Sequence, residues 1–305
     1  MATEPSEAPL TFPNRPRPQT GFTLVELIVV VVIGAVVATT LALFMRPVLS
    51  SYVDTRVRGD LTDQADTAVH RMLQDVRNAV PNSLRLPNTT CFEMVPASAG
   101  GRYRMGPDTS NDTGTCPSDS TCAKYVDTTT ETSTFDSLST LVKTPAVGDW
   151  VVIDNQNVND VYAGSNRAAI TAVSTPAASQ GKHRITINPL QVSTGYDGGR
   201  FLVVPDNQQA VFYICSGAGV DASGQQGTGT LYRKKRYGFD AAYPSACPST
   251  TGADVIATRI SSCRFRYDPN HGATQQSGFM WLELALTRNG ERVQLTVGAH
   301  VMNVP

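Results

Sequence analysis

From Phe22 to Met45 the chain reads FTLVELIVVVVIGAVVATTLALFM, 24 residues with a single charge at Glu26. A helix of that length spans about 36 Å, enough to cross a bilayer core with some tilt. Arg46 follows, where a membrane interface would lie. Residues 1–21 have the opposite character. Pro5, Pro9, Pro13, Pro16 and Pro18 forbid a stable helix, because each lacks an N–H and crowds the preceding turn. Two acids and two arginines cancel there. A secretory signal peptide places its apolar run before the cut and loses it. Here a polar leader comes first and Gly21 stands at the boundary, so a cut at that point keeps the apolar run.

Glu26 needs a reason. A carboxylate at the centre of a membrane helix costs about 2.5–3.5 kcal/mol, and less near the start. Two readings remain open: a solvated residue at the interface, or one with a partner charge such as the α-amino group of a new N-terminus at Phe22.

Beyond Pro47, which should kink or loosen the helix, apolar residues recur at Leu49, Val53, Val57, Leu61, Ala65, Val69, Met72, Val76 and Val80. The steps of four, with one of three, describe an amphipathic helix with one stripe facing a core. Asp54, Arg58, Asp66, Arg71 and Gln74 fill the opposite face, and Pro81 is expected to end the rod. A coiled coil is the alternative, but a step of four drifts off a heptad seam. The expected division is a leader at 1–21, a transmembrane or assembly half-helix at 22–47, an amphipathic half-helix at 48–84 and a β-rich globular part at 85–305.

In that last part short strands alternate with turn signals: 91–96, 150–154, 183–188, 201–205, 210–215, 230–237, 259–267, 278–286 and 293–304. Asn289-Gly290 between alternating apolar runs predicts a hairpin. Residues 106–145, rich in Thr, Ser, Asp and Gly, read as a long surface loop, and 216–229, with five glycines, as a flexible hairpin connection. The fold class is α+β: a long, kinked N-terminal helix packed on antiparallel sheet.

The net charge of −1 gives no general electrostatic reason to bind nucleic acid. Arg233-Lys234-Lys235-Arg236 is the one dense basic cluster, and it reads as a charged edge strand rather than a DNA contact. His70, His183, His271 and His300 are scattered, and no HExxH, GxSxG or Walker A motif occurs. Asp154 to Asp160 lacks the glycine and glutamate of an EF-hand loop and reads as a polar turn. No enzyme, metal or cofactor is expected. Cys91, Cys116, Cys122, Cys215, Cys247 and Cys263 all follow the apolar run, so export would place them where disulfides form. Pairing Cys116 with Cys122 would close a small ring and is favoured; the other four allow three connectivities.

Gly21-Phe22-Thr23-Leu24-Val25-Glu26, joined to the apolar run and the polar leader, resembles the processing motif of type IV prepilins and type II secretion pseudopilins. The resemblance implies a pilin-like fold, cleavage between Gly21 and Phe22 by a membrane prepilin peptidase, and N-methylation of Phe22. It implies that Glu26 pairs with a neighbouring subunit's N-terminal amine. The leader is longer than that of many such proteins and lacks the usual basic residue beside the glycine. Residues 77–83, 162–167 and 301–305 are similar to the MshO-type minor pilins of mannose-sensitive haemagglutinin pilus systems. Leu231-Tyr232-Arg233 and Cys263-Arg264-Phe265-Arg266-Tyr267 are similar to J-type minor pseudopilins. The implied role is a low-abundance subunit that primes or caps a pilus, with a minor pseudopilin or a tip adhesin using the 106–145 loop as alternatives. The implied partners are other minor pilins and the major pilin through the N-terminal helix, the prepilin peptidase, the assembly platform and inner-membrane lipid. The implied location is a single inner-membrane pass with a periplasmic C-terminal part, reaching the pilus tip or cell surface after assembly.

Overall fold

The computed structural model describes residues 21–112, 116, 121–271 and 277–303. Met1–Thr20 of the expected leader, parts of the 106–145 stretch, and Val304 and Pro305 lie outside the described residues. The chain divides into two compact units, Met1–Val53 and Asp54–Pro305.

Helix α1 (Leu24–Arg77) runs through Pro47 without interruption and continues from the first unit into the second. In the first unit every described residue is exposed. The hydroxyls of Thr39 and Thr40 donate to the carbonyls of Ala35 and Val36 at 2.7 and 2.9 Å, so neither needs an outside partner. In the second unit α1 buries Val57, Leu61, Ala65, Ala68, Val69, Met72, Leu73 and Val76. That stripe packs on the inner face of a sheet through Phe92, Tyr213, Phe265 and Leu282. The docked stripe is shorter than its sequence suggests, because Leu49 and Val53 stay 57% and 50% exposed. The helix also stops at Arg77, before Pro81. Ala79 already pairs with Pro96, and the Val80 N–H donates to the Val95 carbonyl at 2.8 Å.

The strands are β1 (Arg85–Asn88), β2 (Cys91–Met94), β3 (Ala99–Arg102), β4 (Thr132–Ser137), β5 (Trp150–Val152), β6 (Arg167–Ser174), β7 (His183–Leu190), β8 (Arg200–Val204), β9 (Val211–Ser216), β10 (Gly229–Lys234), β11 (Asp254–Asp268), β12 (Ser277–Arg288) and β13 (Glu291–Met302), with a short helix α2 (Asp160–Ala163) between β5 and β6. They form two antiparallel sheets. The first has the order β1-β2-β9-β10-β11-β12-β13 and carries α1. The second, β3-β8-β5-β6-β7-β4, is inserted between β2 and β9. Its two edges meet: Tyr103 bridges Ser137, and the Leu138 N–H donates to the Arg102 carbonyl at 2.8 Å. The ladder thereby closes around Phe135, Phe201, Ile185 and Val151. Phe135 and Phe201 meet edge to face, centroids 5.1 Å apart.

Two further expectations need correction. The stretch 106–145 is not one surface loop, because it contains β4, where Phe135, Asp136 and Ser137 are buried. Composition hid it: Thr, Ser and Asp supply most of the strand, and the Asp136 carboxylate is neutralised by Arg184 at 2.7 Å. The basic cluster is not an edge strand. β10 lies inside the sheet, Arg233 is buried, and its Nε donates to Asp75 Oδ2 on α1 at 2.7 Å. The connection 216–229 is the expected hairpin, joining antiparallel β9 and β10, and its turn is closely bonded. Val220 bridges Gly227, the Asp221 carboxylate accepts the N–H groups of Gln225 and Gln226, and Gly227 lies so close to the Arg259 carbonyl that no side chain fits. The hairpin at Asn289-Gly290 has positive φ at both residues, 53° and 81°, as a type I′ turn requires.

Candidate processing and assembly site

Gly21, Phe22 and Thr23 precede the helix in non-helical backbone, and Phe22 is 81% exposed. A side chain on Gly21 would meet nothing within 4 Å, so folding does not ask for glycine there.

The helix begins at Leu24 with a reciprocal cap. The Glu26 N–H donates to Thr23 Oγ1 at 3.3 Å, and the Thr23 N–H donates to Glu26 Oε2 at 3.5 Å. This is a Thr-x-x-Glu capping box, and its carboxylate also faces the positive end of the helix dipole. The Thr-Leu-Val-Glu spacing carries that signal, so Glu26 has a local partner besides the interface and partner-charge readings. Both bonds are long, and among the described residues the Thr23 N–H is the one hydrogen-bond donor to the carboxylate. Glu26 therefore serves helix initiation and keeps acceptor capacity for an amine.

The cysteines fall into three separate places. The structure joins Cys91 to Cys247, Cys116 to Cys122, and Cys215 to Cys263, with Cα atoms 5.8, 5.8 and 6.6 Å apart. The first ties β2 to the segment after β10, and the last ties β9 to β11.

Two polar centres were not legible in the sequence. Asp75 on α1 accepts bonds from Arg233 and from the Tyr213 hydroxyl, each at 2.7 Å, which pins the helix to β9 and β10. Burial, with the Asp75 charge beside it, pushes the Tyr213 phenol well above its ordinary pKa. The second centre gathers the Asn residues of 77–83 and 154–166. Asn155 donates to the Pro81 carbonyl at 2.5 Å and accepts from the Val161 N–H and from Asn166. Asn82 donates to the carbonyls of Asn155 and Asn303 at 2.8 and 2.9 Å. The Tyr162 hydroxyl donates to the Ser83 carbonyl, and Arg85 lies 3.4 Å above the Tyr162 ring. The polar turn at 154–160 is thus a joint between the two sheets. Its carboxylates are spent separately, Asp154 on Gln156 and Asp160 on Asn157. The stretches 77–83 and 162–167, together with Asn303, meet in this joint.

Residues 16–42 match the prokaryotic N-terminal methylation motif. No curated protein and no solved structure matches the chain. The motif supports a type IV pilin-like or pseudopilin protein, a structural class rather than an enzymatic one, and it implies processing by a prepilin peptidase and a role in assembly. The apolar N-terminal helix fits a membrane-anchored pilin, being the one helix among the described residues long and apolar enough to cross a bilayer.

Proposed function

We propose that this chain is a minor pilin, a low-abundance subunit that primes or caps a type IV pilus of the mannose-sensitive haemagglutinin kind. The observation that supports the reading is the methylation motif over residues 16–42, which spans the expected boundary at Gly21–Phe22, joined to an apolar half-helix left exposed among the described residues. Cutting there frees an amine at Phe22 and leaves the half-helix as a single inner-membrane anchor, with the globular part periplasmic. In the membrane the apolar side chains are covered by lipid. In a filament they are covered by the helices of other minor pilins and the major pilin, so the surface moves between two apolar surroundings and never meets water. The assembly platform draws the subunit across. The inserted barrel makes the head bulky, which suits a filament end, where a subunit has neighbours on one side.

Glu26 registers the incoming subunit. In low dielectric its attraction to a neighbour's Phe22 amine is strong, and stranding either charge costs about 3–5 kcal/mol. The test compares Glu26→Ala and Glu26→Gln with wild type for cleavage, membrane insertion, pull-down of co-expressed minor pilins and piliation. The expected result is normal cleavage and insertion with impaired assembly in both variants. Wild-type assembly by Glu26→Gln would reduce Glu26 to a helix cap.

A further inference from the structure

A sheet edge is a row of unpaired backbone groups, and proteins ordinarily close or blunt theirs. Three of the four edges here are closed. β3 and β4 meet each other through the Tyr103–Ser137 bridge. β1 is four residues long, irregular, contains Pro87, and its Leu86 N–H is taken by the Tyr243 hydroxyl at 2.8 Å. The fourth edge is β13, and it is open. It has 12 residues, no proline, no lysine and unbroken register against β12. In a hairpin closed at Arg288 and Glu291, residues 293, 295, 297, 299 and 301 bond inward, so Arg292, Gln294, Thr296, Gly298, His300 and Met302 turn their N–H and C=O groups outward. Among the described residues no hydrogen bond reaches those outward groups.

The outward residues of this edge are basic or neutral, and the acids beside them are Glu283, across from Thr296 on β12, and Glu291 at the strand's start. Its outward row carries Arg292 and His300 and no acid, while Glu291 is held by Arg58 at 2.5 Å. At the far end lies a cavity of about 460 Å³ lined by Arg77, Ala79, Val142, Leu202 and Met302, among others. A second, of about 380 Å³, shares Arg77 and Met302 with it and adds His300. Arg77 has no ion-pair partner among the described residues.

We propose that β13 receives an extended, acidic segment of a different subunit as an added antiparallel strand, with an Asp or Glu of that segment reaching Arg77. The inference rests on the pilin reading for the partner's class. A second copy of this chain does not fit. β13 runs the same way as α1, since its start binds Arg58 and its end shares a cavity with Arg77. Pairing β13 with β13 antiparallel would set the two amphipathic helices in opposite directions, which subunits entering one filament from one membrane cannot do. A copy of like polarity would offer β1, which Tyr243 closes.

The test places a photo-activated cross-linking residue at Gln294 or His300 of the full chain, in cells assembling filaments, with Thr251 as the control position. The expected adduct is to an acidic segment of another protein bearing the N-terminal methylation motif, at ten times the Thr251 yield or more. Thr296→Pro removes an outward N–H and leaves the β12 ladder intact, and it should cut that yield at least tenfold; Arg77→Gln should cut it about threefold. Adducts to a second copy of this chain, yields no higher than at Thr251, or full yield with Thr296→Pro each overturn the proposal. N-terminal sequencing of the same sample separates the two readings, because an unprocessed chain sinks the pilin assignment whatever the cross-links show.

Discussion

The two halves of α1 are built from similar side chains and end in opposite states. Val36, Val37 and Leu41 are 48–59% exposed, whereas Val69, Met72 and Val76 are at most 1% exposed. The docked half alternates its apolar stripe with Asp66, Arg71 and Gln74, so one face alone seeks cover and the sheet supplies it. The first half is apolar all round, and a helix of that kind is covered on every side or not stable in water. The first half must borrow its surroundings, and the second carries its own. The divide falls near Val53, well past Pro47, and Leu49 and Val53 continue the stripe while remaining exposed among the described residues.

The most severe way to break that comparison is to stop the first half from being released. Gly21→Glu puts a charge at the expected scissile position, where this chain places no steric demand of its own. N-terminal sequencing of the membrane-extracted wild type should begin at a methylated Phe22. The variant should keep its leader entirely and appear in no filament. Mature protein from the variant would break the processing assignment. A smaller effect distinguishes the halves directly. Met72→Ala should lower the unfolding free energy of the detergent-extracted chain by about 2–5 kcal/mol, the cost of a cavity in a packed core. Val37→Ala should leave it within about 0.5 kcal/mol, since its side chain touches no core. Equal losses at both positions would show that the first half is packed after all.

What the sequence made legible follows the same divide. The apolar run, the stripe from Val57 to Val76 and the Asn289-Gly290 hairpin depend on neighbours in sequence, and they appear where the pattern puts them. β4 did not, because its strand residues are polar and become core-worthy only when Arg184 and the barrel surround Asp136. Arg233 did not, because its partner Asp75 lies 158 residues away on the helix. The joint built by Asn82, Asn155 and Asn166 reads as ordinary turn chemistry until the two sheets bring those amides together. At the candidate site, the motif from Gly21 to Glu26 was legible as a pattern, and the helix cap made by Thr23 and Glu26 was hidden in a spacing of three.

The smallest expected effect sharpens the comparison through a second glutamate. Glu26 sits exposed at a helix start; Glu93 is buried on β2 beside Arg85. Their contact is weak, 3.4 Å from Nη1 to Oε2, because Arg85 spends its better donors on the carbonyls of Asp240 and Ala242 and on Asn159, at 2.9, 3.1 and 2.7 Å. Burial therefore outweighs the pair and pushes the Glu93 carboxyl up to about 7 from an ordinary 4.5, with Arg85 pulling the other way. Below the lower value both folded and unfolded chains hold the proton. Between about 4.5 and 7 the unfolded chain releases it while the folded one keeps it, so stability falls as pH rises, and above 7 the loss is complete. With Arg85 close by, the expected loss from pH 5 to pH 8 is about 1–3 kcal/mol. Denaturant unfolding across that range should show the slope in wild type and a flatter one in Glu93→Gln, which keeps the shape without the proton. An identical slope in both would mean that Glu93 stays ionised against Arg85 throughout, and that the docked unit's pH dependence has another source.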